Sequence, residues 1–308
     1  MSALRIAIVG LGKIARKEHM PAISASSRFS LVAAVDPVGS AQNVPVYRNL
    51  ASFLDSGIAA DALAMCQPPQ YRHDAAYLAL RAGKHVLLEK PPGVSVAQVQ
   101  ELTELASASA RTLFVAWHSR YAAGVEPARA WLAGRRIERI RILWKENVRE
   151  WHPGQQWIWE PGGFGVFDAG INALSILTRL VPGLPRLKDG TLEVPENRAT
   201  PLAARLELVL AAGIPIDAQF DFLQEGPPRW EISIDTDAGE LALTAGGAAL
   251  EICGQIHPLG AECEYRALYE RFAQLIDAGS SDADLAPLAV VDDAWAHCGR
   301  RTVQAFTD

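Results

Sequence analysis

Cysteine is scarce in this 308-residue chain, and its four copies are scattered. They form no CxxC pair, and their spacing fits neither a disulfide framework nor a zinc site. No His-Glu-x-x-His motif or cluster of carboxylates indicates a metal centre either. We therefore expect reduced thiols and no bound metal. The cysteines are Cys66, Cys253, Cys263 and Cys298.

A surplus of positive charge is also missing. The 29 Lys and Arg residues are outnumbered by 35 Asp and Glu residues, which gives a net charge of −6 at pH 7. Such a chain cannot neutralise many phosphates, so we expect no binding to nucleic acid or to an anionic membrane. The pairs Arg135-Arg136 and Arg300-Arg301 fit solvated helix ends better than a binding stripe.

Long apolar runs are absent as well. No run approaches the roughly 20 residues that span a bilayer. The first residues lead directly into a predicted strand, so we expect no signal peptide and a cytoplasmic protein. Hydrophobic residues make up 49% and charged residues 21% of the chain, a composition typical of soluble proteins. The length fits two domains of ordinary size.

The most informative motif present is a glycine-rich turn. Residues 6–15 read as a buried strand, a Gly-x-Gly-x-x-Ala turn and the start of a helix. Such a turn presents backbone N–H groups at a helix N-terminus, where a pyrophosphate binds. Gly10 permits the tight turn, Gly12 lets the backbone approach the phosphates, and Ala15 allows close helix–strand packing.

Asp36 strengthens this interpretation. It follows the turn by about twenty residues, at the end of a second apolar run. A carboxylate there accepts hydrogen bonds from the ribose hydroxyls and repels a 2′-phosphate. We therefore expect NAD as the cofactor, with NADP less preferred. The alternative, a glycine turn that binds nothing, leaves Asp36 unexplained.

The first 118 residues alternate short apolar runs with helical patterns. This alternation predicts an α/β fold with a doubly wound parallel sheet. The predicted strands are 5–9, 30–36, 60–66, 85–89 and 112–117, and the predicted helices are 14–24, 50–56, 72–82 and 95–108.

Beyond residue 120 the pattern changes to long alternating segments joined by short Gly- or Asp-containing turns. It predicts a second, α+β domain on an open, mainly antiparallel sheet with helices on one face. The predicted helices are 121–132, 167–180, 264–277 and 286–305, and the predicted strands are 137–148, 192–195, 204–211, 216–222, 230–235, 240–243 and 248–253.

Two domains follow from these patterns. A dinucleotide-binding domain covers 1–119, and a substrate-binding and oligomerisation domain covers 120–308. The C-terminal helix of the second domain either stays with that domain or packs back on the first. One face of the second sheet needs a cover, so we expect a homodimer or homotetramer formed through it.

Two constellations follow strands of the predicted parallel sheet, at the strand ends where ligands of such sheets bind. The first is Cys66-Gln67-Pro68, which is otherwise only a rigid turn. The second is Glu89-Lys90, an ion pair at the end of a buried strand. Such charges are usually partnered or used, and Lys90 is expected near the nicotinamide ring. The alternative is a salt bridge that caps the strand.

Two further constellations lie in the second domain. Asp168 and Asn172 stand four residues apart, on one face of a predicted helix, although an acidic first-turn residue also complements a helix dipole. Residues 144–160 hold four tryptophans interleaved with polar residues that include Glu146 and His152. Flat indoles beside hydrogen-bonding groups suit a sugar ring. A packed or subunit-facing aromatic cluster is the alternative.

These motifs together resemble the family of glucose–fructose oxidoreductase and inositol dehydrogenase over the whole chain. The block at 151–163 and the segment 117–120 look like the L-arabinose and D-galactose 1-dehydrogenases of that family. The matching segments are the glycine turn with residues 19–21, residues 67–69, the run 82–91 and Asp168. The resemblance implies a Rossmann fold and NAD(P)⁺-dependent oxidation of an aldopyranose (galactose, arabinose or fucose) at C1 to a lactone.

One position departs from the family pattern. Many members carry a histidine base where this chain has Asn172, and an amide cannot accept a proton at neutral pH. The base is then Asp168 or a neutral Lys90. We assign the base to Asp168, the stabilisation of the developing oxyanion to Lys90, and the orientation of the sugar to Asn172.

The resemblance also implies which residues touch each ligand. The expected cofactor-binding residues are Gly10, Leu11, Gly12, Lys13, Ile14, Asp36, Cys66, Gln67, Pro68, Glu89, Lys90 and His118. The expected substrate-binding residues are Lys90, His118, Glu146, Trp151, His152, Asp168 and Asn172. Two other functions stay open: a polyol or inositol-type secondary-alcohol dehydrogenase, and a non-catalytic, dinucleotide-binding regulator of a sugar pathway.

Overall fold

The computed structural model describes residues 3–261 and 263–307. The chain folds into two compact units. The first comprises the described residues up to His118 together with Tyr265–Leu285, and the second comprises Ser119–Glu264 together with the residues from Ala286 onward. The segment Tyr265–Leu285, which the sequence analysis assigned to the second domain, thus belongs to the first unit.

The described residues of the first unit form a six-stranded sheet in which every neighbouring pair is parallel. The strands are β1 (Leu4–Val9), β2 (Phe29–Val35), β3 (Val46–Tyr47), β4 (Ala62–Met65), β5 (His85–Glu89) and β6 (Leu113–Ala116). Their spatial order is β3-β2-β1-β4-β5-β6, which confirms the predicted doubly wound parallel sheet. A strand covered on both faces is apolar throughout, and all four residues of β4 are buried.

The described residues of the second unit form a nine-stranded sheet. Its strands are β7 (Ile137–Lys145), β8 (Arg186–Pro195), β9 (Ala203–Val209), β10 (Pro215–Asp221), β11 (Arg229–Thr236), β12 (Gly239–Thr244), β13 (Ala249–Ile252), β14 (Gln255–Ile256) and β15 (Gly299–Val303). The spatial order is β14-β13-β12-β11-β7-β10-β9-β8-β15, and the pairs are antiparallel except β7 with β10 and β8 with β15. The predicted open, mainly antiparallel sheet is confirmed.

A π-helical turn over Ala15–His19 runs directly into the first α-helix. Ser95 caps the helix over Val96–Ala108, since its side chain accepts a hydrogen bond from the backbone N–H of Gln98. The α-helices of the described chain are α1 (Met20–Ser24), α2 (Leu50–Leu54), α3 (Arg72–Arg81), α4 (Val96–Ala108), α5 (Val125–Leu132), α6 (Val148–Trp151), α7 (Phe167–Leu180), α8 (Glu264–Asp277) and α9 (Ala286–His297). Among the described residues, no helix has the length and apolar character that crossing a membrane requires.

Helix α7 packs closely on one face of the nine-stranded sheet, with α5 and α9 beside it. At Gly170 of α7, a Cβ atom would lie 2.5 Å from Cδ1 of Phe220 on β10, so only glycine permits this approach. The opposite face of the sheet carries ion pairs, including Arg141 with Asp235 at 2.7 Å. The apolar core of the unit therefore lies between the helices and one sheet face.

The expected helix over 286–305 is wrong beyond His297. Residues Gly299–Val303 form β15 instead and pair in parallel with residues 191–195 of β8. The edge of β8 offers backbone partners that a helix would leave unused, and the β-branched Thr302 and Val303 suit a strand. Tertiary pairing therefore overrides the helical pattern.

Three smaller differences concern local structure. The Arg300-Arg301 pair lies on β15 rather than at a helix end, and Arg301 pairs with Glu193 at 2.6 Å. The expected loop at 149–165 contains most of α6 and a 3₁₀ turn over Gln156–Trp159. The two-residue strands β3 and β14 were not predicted, because two residues carry no periodicity.

Candidate active site

The residues predicted to bind the cofactor gather at one edge of the parallel sheet. Parallel strands direct their carboxyl ends to the same edge, and this edge is where such sheets bind ligands. Gly10 follows β1, Asp36 follows β2 and Cys66-Gln67 follows β4. Glu89 is the last residue of β5 and Lys90 follows it, and His118 comes two residues after β6.

The glycine turn has the shape that a dinucleotide requires. Gly10 has a φ of +94°, and a Cβ atom there would lie 2.6 Å from the backbone nitrogen of Gln67. At Gly12, by contrast, no atom lies within 4 Å of such a Cβ position. Ala15 is fully buried, as close helix–strand packing demands. The turn therefore fits a pyrophosphate that approaches the backbone at Gly12.

The other residues of the turn differ in exposure. Leu11 is buried, Lys13 is exposed and Ile14 is half-buried. Gln67 and Pro68 are half-buried at the neighbouring strand end, whereas Cys66 is 7% exposed.

Asp36 is tied to the turn by its carboxylate. Oδ2 accepts a hydrogen bond from the backbone N–H of Leu11 at 2.7 Å, and Oδ1 accepts from the backbone N–H groups of Val38 and Gly39. Partial burial raises the pKa of Asp36, but these backbone donors and the Arg16 guanidinium outweigh burial and lower it. The Asp36 carboxylate therefore stays ionised and fixed beside the turn.

Glu89 belongs to a buried polar network. Its Oε1 accepts a hydrogen bond from the Tyr265 hydroxyl at 2.6 Å and lies 3.3 Å from Nε2 of His19. Nδ1 of His19 lies 2.8 Å from the Tyr269 hydroxyl. All four residues are at most 7% exposed. The network thus joins β5 to the π-helical turn and to α8.

Electrostatics make His19 and Glu89 an ion pair. Burial alone raises the pKa of Glu89, but the His19 ring, with His118 and Lys90, lowers it to about 2. Burial alone lowers the pKa of His19, but Cys66, Tyr269 and Glu89 against the ring raise it well above its usual range. A buried charge needs such a partner.

Lys90 is held by the backbone on either side of it. The guanidinium of Arg72, 3% exposed, donates hydrogen bonds to the carbonyl oxygens of Glu89, Pro91 and Gln67. A planar fork with five N–H donors suits several carbonyls at once. Arg72 therefore joins the strand ends that precede Gln67 and Lys90. Lys90 itself is half-buried.

His118 lies against α8. Its ring stacks on that of Tyr265, with the centroids 5.3 Å apart. Because Tyr265 bonds Glu89, His118 adjoins the buried network of the first unit.

In the second unit, His152 lies between two carboxylates. Its Nε2 is 2.7 Å from Oε1 of Glu146, and its Nδ1 is 3.7 Å from Oδ2 of Asp168. Both carboxylate side chains are 5% exposed, and the imidazole is 15% exposed. The other oxygen of Glu146 accepts a hydrogen bond from Nε1 of Trp230 at 2.8 Å.

Three elements bring these groups together. Glu146 immediately follows β7, and His152 immediately follows α6, which Asn147 caps through its side chain. Asp168 lies in the first turn of α7. The strands β7 and β10 are parallel, so this cluster also adjoins carboxyl ends of parallel strands.

Asn172 is half-buried one turn after Asp168 on α7. Its backbone oxygen accepts a hydrogen bond from the hydroxyl of Ser175 at 2.7 Å. The predicted placement of the carboxylate and the amide on one helix is confirmed.

The tryptophans of residues 144–160 divide into two groups. Trp144 and Trp159 are buried in the core of the unit, as the packing alternative predicts. Trp151 and Trp157 are half-buried. Trp151 meets Trp230 edge to face, with the ring centroids 4.7 Å apart. Trp151 and Trp230 therefore form an aromatic pair beside the Glu146–His152 contact.

Within residues 3–261 and 263–307, no group of three or more His, Cys, Asp or Glu side chains has an arrangement that could hold a metal ion.

Sequence reasoning missed several residues of these clusters. Tyr265 and Tyr269 are spaced i, i+4, a signal that their hydroxyls share one helix face. His19 lies in the matching segment 19–21, but no pattern in the sequence indicates its role. The position of Trp230 carries no local signal, because its partner Glu146 is 84 residues away, and the carbonyls that Arg72 bonds follow no spacing rule.

Comparison with known proteins identifies the family. Residues 4–117 match the oxidoreductase family with an NAD-binding Rossmann fold. Galactose 1-dehydrogenase of Pseudomonas fluorescens is 41% identical over 310 residues, with both chains covered completely. A crystal structure of D-galactose-1-dehydrogenase from Rhizobium etli superposes with a TM-score of 0.95 at 47% identity and covers 100% of this chain and 99% of that one.

A more distant structure shares the fold alone. The WlbA dehydrogenase of Bordetella pertussis, in complex with NADH and UDP-GlcNAcA, has a TM-score of 0.82 at 19% identity and covers 96% of each chain. Because it is 41% identical to a relative over its full length and has a doubly wound parallel sheet, the chain belongs to the oxidoreductase family with an NAD-binding Rossmann fold.

Proposed function

We propose that this chain oxidises D-galactose at C1 to the lactone, with NAD⁺ as the hydride acceptor. The observation that carries the proposal is full-length similarity, at 41% and 47% identity, to two galactose 1-dehydrogenases. The retention of Lys90 and Asp168 favours an enzyme over a regulator that only binds a dinucleotide.

The glycine turn and Asp36 would hold the cofactor. The open position at Gly12 suits the pyrophosphate, and the ionised Asp36 suits the ribose hydroxyls and disfavours a 2′-phosphate. NAD⁺, when bound, accepts the hydride that leaves C1.

Proton removal is assigned to Asp168. A hemiacetal hydroxyl is more acidic than an ordinary alcohol, so a carboxylate is an adequate base. The Lys90 ammonium donates a hydrogen bond to the C1 oxygen and stabilises the negative charge that develops there. Asn172 offers both a donor and an acceptor, which suits it to orient the sugar.

The substrate range is expected to extend beyond one sugar. L-Arabinopyranose is D-galactopyranose without the C5 hydroxymethyl group, and D-fucose carries a methyl group there instead. All three share the configuration of every ring hydroxyl. A pocket distinguishes two substrates that differ by one small substituent by only about 1–3 kcal/mol of transition-state binding free energy. We therefore expect all three sugars to be oxidised.

A homodimer or homotetramer is proposed through the sheet face opposite α7. That face carries the half-buried Leu143 among its ion pairs. Replacing Leu143 with Glu should shift the mass measured by light scattering toward the monomer, whereas an unchanged mass would place the interface elsewhere.

The decisive experiment is a substrate panel. The protein is mixed with D-galactose, L-arabinose, D-fucose, D-glucose and myo-inositol, each with NAD⁺ and NADP⁺, while absorbance of the reduced nicotinamide is followed. Turnover of the first three with NAD⁺, and lactone as the product, is the expected result. Turnover of inositol alone would favour the secondary-alcohol alternative. Cofactor binding without any turnover would favour the regulator.

A further inference from the structure

The Glu146–His152–Asp168 cluster contains more titratable groups than one proton removal requires. A single carboxylate is enough to accept the proton of the C1 hydroxyl, yet His152 lies between Asp168 and a second buried carboxylate. The family resemblance implies that Glu146 and His152 bind sugar hydroxyls. The contacts among the three side chains favour another role for this pair.

Glu146 has both oxygens engaged. Trp230 donates to Oε2 at 2.8 Å, and Nε2 of His152 lies 2.7 Å from Oε1. A carboxylate accepts and does not donate, so this contact places a proton on Nε2 of the neutral imidazole. Nδ1 is then the basic nitrogen, and it is the one that faces Asp168.

Asp168 also has to lose the proton that it gains. Its side chain is 5% exposed, so direct transfer to bulk water is restricted, and the next turnover needs the carboxylate again. His152 is the more exposed of the two at 15%, and its Nδ1 lies 3.7 Å from Oδ2 of Asp168. A small approach of the two side chains brings these atoms into hydrogen-bond range.

We propose that His152 relays the proton from Asp168 to solvent and that Glu146 holds the imidazole in the tautomer that can accept it. The proposal rests on the proposed function, in which Asp168 is the base. The O–H bond of the C1 hydroxyl breaks and an O–H bond forms on Asp168. That bond then breaks as an N–H bond forms on Nδ1 of His152. The imidazolium, between two carboxylates, releases one proton to water and returns to its starting form.

Kinetics separate a relay from sugar binding. Replacing His152 with Ala should lower kcat by about 10²-fold with little change in KM, and added imidazole should restore part of kcat in a concentration-dependent way. His297→Ala, which removes an exposed histidine of the same unit, is the matched control. Its kcat should equal that of the wild type and should not change when imidazole is added. A raised KM with unchanged kcat and no rescue would overturn the relay, because it would return His152 to binding sugar hydroxyls.

The role of Glu146 is tested by its own substitution. Glu146→Gln retains an acceptor for His152 but loses the negative charge that stabilises the imidazolium. We expect kcat to fall while KM for galactose stays within about two-fold, since a positioning residue acts through His152. A KM effect alone would contradict this assignment.

A spectroscopic measurement does not depend on the substrate. In protein labelled with ¹⁵N-histidine, the two ring-nitrogen resonances of His152 are assigned by their loss in His152→Ala. In the wild type, these resonances should show a protonated Nε2 and an unprotonated Nδ1 when the imidazole is neutral. Asp168→Asn should shift the Nδ1 resonance, and Glu146→Gln should shift that of Nε2. An Asp168→Asn spectrum identical to wild type would overturn the relay. If these resonances shift as expected but the protein oxidises no sugar, the proposed function is overturned and the contacts of His152 are not.

Discussion

Nε2 of His19 lies 3.3 Å from Oε1 of Glu89, and both side chains are sealed from solvent at 0% and 2% exposure. This ion pair predicts how stability depends on pH. The pKa of His19 is raised well above 6.5, so its contribution is complete below pH 6.5 and is lost as pH rises through the folded value. The pKa of Glu89 is lowered from 4.5 to about 2, so its contribution is complete above pH 4.5 and is lost as pH falls toward 2.

The two contributions are therefore both complete between pH 4.5 and 6.5. The free energy of unfolding, measured with urea at a series of pH values, should decrease both below pH 4.5 and above pH 6.5. A His19→Gln, Glu89→Gln double variant should show a flatter profile. An identical slope in that variant would show that the pair does not couple stability to pH.

The two glycines of the turn should respond differently to alanine. Gly10→Ala places a Cβ 2.6 Å from the nitrogen of Gln67 at a positive φ, which costs at least about 1–2 kcal/mol of folding stability. Gly12→Ala meets no atom within 4 Å, so its melting temperature should be unchanged while NAD⁺ binds more weakly. Thermal unfolding and cofactor titration of both variants check this. Equal melting temperatures would contradict it.

Asp36 should control cofactor choice. Asp36→Ala removes an ionised carboxylate that disfavours a 2′-phosphate, so the ratio of kcat/KM with NADP⁺ to that with NAD⁺ should rise. The ratio is the informative quantity, because loss of three backbone hydrogen bonds lowers stability with either cofactor. An unchanged ratio would refute the assignment.

Lys90 should matter for turnover far more than for folding. Lys90→Met removes the donor assigned to the C1 oxygen, and kcat/KM for galactose should fall by about 10²–10⁴-fold. Lys17→Met, which removes an exposed lysine of the same unit, should retain wild-type kinetics. The melting temperature serves as the control for folding. A Lys90→Met enzyme with full activity would remove Lys90 from the mechanism.

The parallel sheet could be predicted because a strand buried on both faces appears in the sequence as a short run of consecutive apolar residues. The strands β4 and β6 are apolar at every position, and β1 and β2 are followed directly by Gly10 and Asp36. The strand β15 was not predictable in this way, because its stability comes from pairing with β8, about a hundred residues earlier in the chain. Local propensity does not record such a partner.

The same limit applies to the site. Asp168 and Asn172 could be paired from sequence because a helix fixes their spacing. The contact of His152 with both Glu146 and Asp168 depends on how β7, α6 and α7 end, which no spacing rule states. The polar residues themselves can therefore be identified from the sequence, whereas the contact between Glu146 and His152 cannot.

The return of Tyr265–Leu285 to the first unit has a consequence for how the protein is made. A ribosome delivers His19 and Glu89 early, but the Tyr265 and Tyr269 hydroxyls that complete their network emerge after most of the second unit. Until then the charge pair lacks both these hydroxyls and the tyrosine rings that pack against His19 and help to exclude water from it. The first unit to be synthesised should therefore be among the last to become stable, and the cofactor should bind tightly only to a nearly complete chain.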